Sequence, residues 1–364
     1  MLHEGIFFFQ IDMSIDRFLL WFKSTDVNTD LVQVRYTNHS GFGLYSRQPI
    51  VETNSLILSI HESLFIKPSF QNQDFNGFEH LIEYLLTTLT DPYVEFLRTL
   101  RCIPSWCQFS TDNSPRQLLH SMNKHLNKNR HSREKFPQFT DEDFQWAYYV
   151  INTRCVHFNM EIDSKDQDDN LCLIPYLDFV NHSIQPNTIS KFNPLTRSYE
   201  ISSIKPIEID EQITFLYNPH SNVDLFIEYG FVLSFNPSNL INIEYELEQI
   251  LTKEQNEIIR SFNYWNSLEF YSGDHDLSWT VIKAMEIHLD QSNWSPYDDP
   301  STDKHSALFD QFQFLLNMVR SNIEKDFQQW NTEHFLQEKT ILFQDFQTII
   351  DDTSISIKKS FGKS

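Results

Sequence analysis

The chain has 364 residues, 40% of them hydrophobic, and sets 28 basic against 50 acidic side chains for a formal charge of −22 at pH 7. That length and apolar content can bury a full core and divide into two or three structural units. So negative a surface repels nucleic-acid phosphates and anionic lipid and attracts a basic partner such as a lysine-rich tail. The expected partner is therefore a basic protein, with no direct nucleic acid and no membrane, and the chain is expected to act as a monomer. Cys102, Cys107, Cys155 and Cys172 form no evident disulfide framework, which fits a reducing compartment. Ile6–Phe9 is too short for a signal-peptide core, and no run reaches transmembrane length. A cytoplasmic or nuclear protein is the expectation.

Residues 14–24, SIDRFLLWFKS, carry apolar positions at helical spacing. Val32–Arg35 reads as a short strand leading into a loop with Gly41, Phe42 and Gly43, and Ser55–Ile60 resumes as strand. Only seven glycines occur in the chain. Two of them one residue apart let main chain approach a ligand with no Cβ in the way, although an ordinary hairpin has the same look. From Gly77, the residues Phe78, Leu81, Ile82, Leu85, Leu86 and Leu89 share one helical face. Pro92 and Pro104 interrupt, the basic stretch Lys124–Lys135 reads as a solvated helix or loop, and a further helix runs from Asp141 to Phe158. Glu161–Asn170 has the polarity of an exposed loop. The neighbours Val150, Ile151, Val156 and Phe158 place Arg154 in partly buried surroundings, and a buried guanidinium needs an anion.

Three pieces between Cys172 and Val232 do not read as ordinary core: Asp178-Phe-Val-Asn-His-Ser183, Glu211–Tyr217, and Ser221-Asn222 followed by Tyr229-Gly-Phe231. The alternating runs Ser198–Ile204 and Gln212–Tyr217 flank a turn built on Pro206 and Asp210-Glu211. Beyond Asn236-Pro237 helices dominate. Thr252-x-x-Gln255 reads as a capping box. Leu308, Phe312, Leu315, Val319 and Ile323 form one core stripe, and Leu342, Phe346, Ile349 and Ile350 form another.

The order and spacing of the three pieces resemble the C-terminal half of a SET domain, the fold of many protein-lysine methyltransferases. The likeness is to the subclass that holds SET domain-containing protein 4 and the plant Rubisco large-subunit methyltransferase. It implies an α+β chain: a SET-domain β-fold with a pseudoknot, split by a helical insertion and followed by an all-helical C-terminal domain. The segments would be 1–66, 67–165, 166–237 and 238–364. It also implies S-adenosylmethionine as cofactor and methyl transfer to a lysine amine. Carried over by position, the main chain at Gly41, Phe42 and Gly43 would lie against the cofactor. Arg154 would meet the carboxylate of its methionine moiety through a planar, bidentate fork. Asn181 and His182 would meet its adenine end, and Tyr217 would support that wall. Tyr229 would be the catalytic tyrosine, and Asp178 a residue of the lysine pocket.

Each of these has a plain alternative: His182 a capped loop histidine, Asn181 a turn cap, Tyr229 a core tyrosine, Asp178 a structural carboxylate. The sequence also departs from the family. Cys102 and Cys107 make a lone pair, not a zinc site, so no metal is expected. Phe42 stands where relatives often carry Arg or Leu. A catalytically silent SET fold acting as a peptide-binding adaptor is the competing reading, and the retention of Arg154 and Tyr229 opposes it.

Overall fold

The structure, a computed structural model, describes the chain except residues 1, 39, 101, 110, 159–169, 274–275, 331–334 and 363–364, and gives backbone alone at 2–12 and 266. It divides into two compact units: residues 1–104 with 128–219, and 105–127 with 220–364. These boundaries differ from the sequence segments. Residues 105–127, inside the expected insertion, group with the C-terminal helices, and the second unit begins at His220 rather than at 238.

In the first unit, α1 (Leu2–Lys23) precedes β1 (Val32–Thr37), β2 (Gly41–Ser46) and β3 (Leu56–His61). α2 (Gly77–Thr87) starts at a capping box in which the Asn76 side chain accepts from Glu79 N while the Glu79 carboxylate accepts from Asn76 N. Its buried face holds Phe78, Leu81, Ile82, Leu85 and Leu86, but the helix ends at Thr87 and Leu89 is 64% exposed. Pro92 does not break a helix. It opens α3 (Pro92–Leu97), where a missing N–H costs nothing and Asp91 caps the first turn. α4 (Arg116–Arg133) takes up most of the basic stretch and contributes to both units. α5 (Asp141–Arg154) stops at Arg154 rather than at Phe158, because Cys155 turns extended and leads into β4 (Val156–His157), paired with β5 (Leu171–Cys172). The segment expected as an exposed loop lies outside the described residues except for Asn170.

β6 (Asn181–His182), β7 (Thr188–Asn193), β8 (Ser198–Ser203) and β9 (Gln212–Phe215) complete this unit. One sheet has the order β1-β2-β9-β6, with β6 parallel to β9; another has the order β3-β8-β7. The alternating runs read as flanking one turn therefore lie in different sheets. Under the first sheet, rings of Phe18, Tyr93, Phe96 and Phe179 pack at centroid distances of 5.3–5.9 Å.

The second unit adds α6 (Asn222–Asp224), α7 (Glu244–Ile250), α8 (Lys253–Ser261), α9 (Trp279–Leu289), α10 (His305–Gln329) and α11 (Leu336–Phe361), with a ribbon of β10 (Leu240–Asn242) and β11 (Glu269–Tyr271). Both predicted stripes are buried on α10 and α11, and the Thr252 capping box is formed at the start of α8. Residues 105–127 belong here because Trp106, Leu118 and Met122 share a core with Phe226, Leu247, Leu315 and Phe346.

Candidate active site

Gly41-Phe42-Gly43 is not a loop. It forms the first three residues of β2, directly after the hairpin turn, with Gly41 opposite Thr37 on β1. Gly41 has φ +67°, a region that a Cβ penalises, and the space around it is open. Gly43 is there for closeness: a Cβ would lie 2.4 Å from Gln212 Nε2 and 3.2 Å from Asn181 Nδ2. The sheet order explains this crowding, since β2 borders β9, and β9 borders β6. Asn181 Nδ2 reaches across to donate to Phe42 O at 3.1 Å. The Phe42 ring packs edge-on to Phe96 at 5.4 Å and against Phe179 at 5.9 Å, so this departure from the family residue joins the aromatic floor of its own sheet.

On β6, Asn181 pairs with Thr214 and His182 with Phe215. Tyr217 lies two residues beyond the end of β9. Its N–H donates to His182 Nδ1 at 3.3 Å and its hydroxyl to Val180 O at 3.0 Å, with the two rings 5.2 Å apart. Because Nδ1 accepts, the neutral imidazole carries its proton on Nε2. Five of the seven residues expected at the cofactor, Phe42, Gly43, Asn181, His182 and Tyr217, are thus joined by direct bonds or close approach.

Arg154, at the last turn of α5, donates through Nη1 to Asp178 Oδ2 at 3.3 Å and to Asp178 O at 3.1 Å. The arginine side chain is 22% exposed, and the anion it needs is supplied from within the chain. Tyr93 OH also donates to Asp178 Oδ2, at 3.2 Å. Burial raises the pKa of Asp178, and although Arg154 and Tyr93 pull it back, it stays above the usual carboxylate value. The Asp178 side chain is 1% exposed: its Oδ2 serves both partners, and its Oδ1 is buried with none among the described residues. Tyr93 was not singled out in the sequence, where nothing marks it 85 residues away from Asp178. Arg154 Nε is a buried donor without a partner among the described residues, and so is Gln212 Nε2.

Tyr229 belongs to the second unit. It ends a single π-type turn, Leu225–Tyr229, closed by Gly230 at φ +80°. Its ring stands 5.9 Å from His220 and 6.2 Å from Phe231. Trp106 Nε1 donates to Ile227 O at 2.9 Å, and His125 lies 3.2 Å from Glu228, so both neighbours of Tyr229 in that turn are held from α4 and the segment before it. Burial first, and the Glu228 charge second, push the Tyr229 phenol up to about 12. Among the described residues no cluster of three or more His, Cys, Asp or Glu is arranged to hold a metal ion.

A protein-family model described as the SET domain matches residues 41–218. That stretch, just under half of the chain, is identified as a SET domain. The match covers every first-unit residue discussed here from Gly41 to Tyr217. Over 104 residues this chain is 41% identical to SET domain-containing protein 4 of Artemia parthenogenetica, covering 28% of this chain and 26% of that protein. Over 207 residues it is 28% identical to ribosomal lysine N-methyltransferase set11 of Schizosaccharomyces pombe, covering 56% of this chain and 50% of that protein. The aligned stretches thus span between about a quarter and a half of these relatives' own lengths. Among solved structures, the SET domain of LSMT bound to lysine and AdoHcy superposes with a TM-score of 0.67 at 15% identity, over 96% of this chain and 91% of that one. Rubisco LSMT bound to AdoMet gives 0.64, also at 15%. That likeness shows the fold: an α+β SET fold with a helical C-terminal region.

Proposed function

We propose that this SET-domain protein transfers a methyl group from S-adenosylmethionine to a lysine of a basic protein. The observation that carries the reading is the β2-β9-β6 order, which brings the glycine-flanked main chain of Phe42 under the Asn181 amide beside His182 and Tyr217. The relatives named as ribosomal lysine N-methyltransferases and the neighbours solved with AdoMet or AdoHcy support the same reaction. The residues fit the cofactor. Arg154 Nε and Gln212 Nε2 are buried donors left over after the internal bonds are made, and such groups suit a ligand rich in carboxylate and ring acceptors.

S-adenosylmethionine supplies an electrophilic methyl group on a sulfonium. Arg154 would bind its carboxylate through the donors that Asp178 leaves free, while Asn181, His182 and Tyr217 would hold its adenine end. Tyr229 would orient the lysine amine. With a pKa near 12 its hydroxyl stays protonated at pH 7, so it acts by hydrogen bonding and not as a base. The amine must arrive neutral against a free pKa of about 10.4. The −22 charge supports a basic substrate. Added salt screens such attraction over about 8 Å at physiological strength, so the apparent KM should rise with salt. The deciding test is calorimetry with S-adenosylmethionine, followed by labelled methyl transfer into a cell extract. Binding without any transfer would favour the silent adaptor; absence of binding would defeat the proposal.

A further inference from the structure

Ser221-Asn222 precedes the Tyr229 turn, and the function above leaves it unused. Asn222 is 1% exposed, and its side chain closes the segment on both sides of the tyrosine. Its Oδ1 accepts from Leu233 N at 2.9 Å and its Nδ2 donates to Leu233 O at 2.8 Å, so one amide replaces a rung of main-chain pairing across the base of the turn. Asn236 Nδ2 adds a bond to the same oxygen at 3.3 Å and one to His220 O at 2.9 Å. Asn222 N donates to Asn239 Oδ1 at 2.7 Å.

One residue from far along the chain sets the direction of this network. Asp345, on α11, accepts from Asn222 Nδ2 at 2.6 Å, and the Asn239 side chain also stands against it, the two offsetting in part the rise that burial gives its pKa. A carboxylate accepts only, so it fixes which end of each amide faces it, and hence which end is left for Leu233 and for Asn222 N. Without it, either amide can flip and set donor against donor.

We propose that Asp345 is a positioning residue for Tyr229: by locking the Asn222 and Asn239 amides it fixes the base of the turn that carries the tyrosine. The proposal rests on Tyr229 acting in methyl transfer. The relevant quantity is geometry, since small misplacement of an orienting group costs rate rather than binding.

The test compares Asp345→Ala and Asp345→Asn, alone and with Tyr229→Phe. Tritiated S-adenosylmethionine is the donor, a salt-extracted ribosomal protein fraction is the acceptor, and hydrogen exchange is followed across residues 222–233. Asp345→Ala should lower kcat about ten- to a hundredfold, leave the KM for S-adenosylmethionine within about twofold, and quicken exchange in the turn. Asp345→Asn keeps one accepting oxygen but sets an NH2 group where the carboxylate had its second, so its rate should fall between wild type and the alanine variant, and it serves as the variant if the alanine protein does not fold, a wild-type rate then overturning the proposal. On a Tyr229→Phe background the alanine change should cost less than about twofold more, the mark of two residues acting as one. Equal losses on both backgrounds, or unchanged exchange, would overturn the proposal. Failure of the Tyr229 reading itself is separable, because it shows in Tyr229→Phe alone running at the wild-type rate.

Discussion

The β2-β9-β6 strands of the first unit and the tyrosine turn of the second are held by different means. Around Gly41–Gly43, Asn181 and Tyr217 the main chain does most of the work: β2, β9 and β6 pair as a sheet, and the side-chain bonds to Phe42 O, Val180 O and Tyr217 N end on backbone groups. Around Tyr229 there is no sheet, and the turn is tied by side chains to side chains and carbonyls, from Trp106, His125, Asn222 and Asp345. Sheet pairing tolerates many side chains where no Cβ intrudes. A side-chain lattice tolerates few, because each amide or carboxylate lost strands its partner.

Four substitutions probe that contrast. Arg154→Ala should have the largest effect, about 2–5 kcal/mol, since it leaves Asp178 buried without its cation. The loss should appear in folding stability as well as in S-adenosylmethionine affinity, as denaturation and calorimetry would separately show. It should also shrink at low pH. The folded variant holds a proton on Asp178 more tightly than the unfolded chain does, so stability returns as pH falls through the raised folded pKa. A deficit confined to cofactor binding would mean Asp178 is not the essential partner. Next, Tyr229→Phe should slow methyl transfer about a hundred- to a thousandfold with unchanged melting temperature, because the ring still fills its space. If melting and rate fall together, the tyrosine is structural.

Gly41→Ala comes third. Nothing lies within 4 Å of the added Cβ, so the cost is backbone strain alone, about 1–2 kcal/mol in thermal denaturation. Gly43→Ala should cost least in stability, about 1 kcal/mol, since the nearest atom it meets is the movable end of Gln212, with Tyr45 Cε2 at 3.1 Å and Asn181 Nδ2 at 3.2 Å needing only a slight shift. Its larger effect should be on S-adenosylmethionine binding, and Gln212→Ala in the same protein should restore stability. A Gly43→Ala protein more damaged than Gly41→Ala would show that Gln212 is fixed in place.

What could be read from the sequence was local or periodic. The stripes on α2, α10 and α11 and the Thr252 box follow from spacing within a few turns, and the half-buried setting of Arg154, its side chain 22% exposed, follows from its own neighbours. Partners at a distance were not legible. Asp178 stands 24 residues from Arg154, and Asp345 stands 123 from Asn222. Nor does an alternating run say which strand it will join: the runs read as flanking one turn, Ser198–Ser203 and Gln212–Phe215, enter different sheets. Leu89 fits the α2 stripe by count, but the chain leaves the helix at Thr88 before that face is continued. The glycine pair reads as a loop from composition, whereas a tight turn at its edge makes it strand.

The interleaving of the two units constrains how the chain can be made. Residues 105–127 are synthesised before the second half of the first unit, yet Trp106, Leu118 and Met122 find their core partners only beyond His220. During translation that segment must wait, with apolar side chains uncovered, while the strands up to Phe215 emerge. A fragment ending at Pro219 would retain every residue of the first unit and carry the stranded segment with it, so trimming the chain to its SET-domain match would not produce a clean domain.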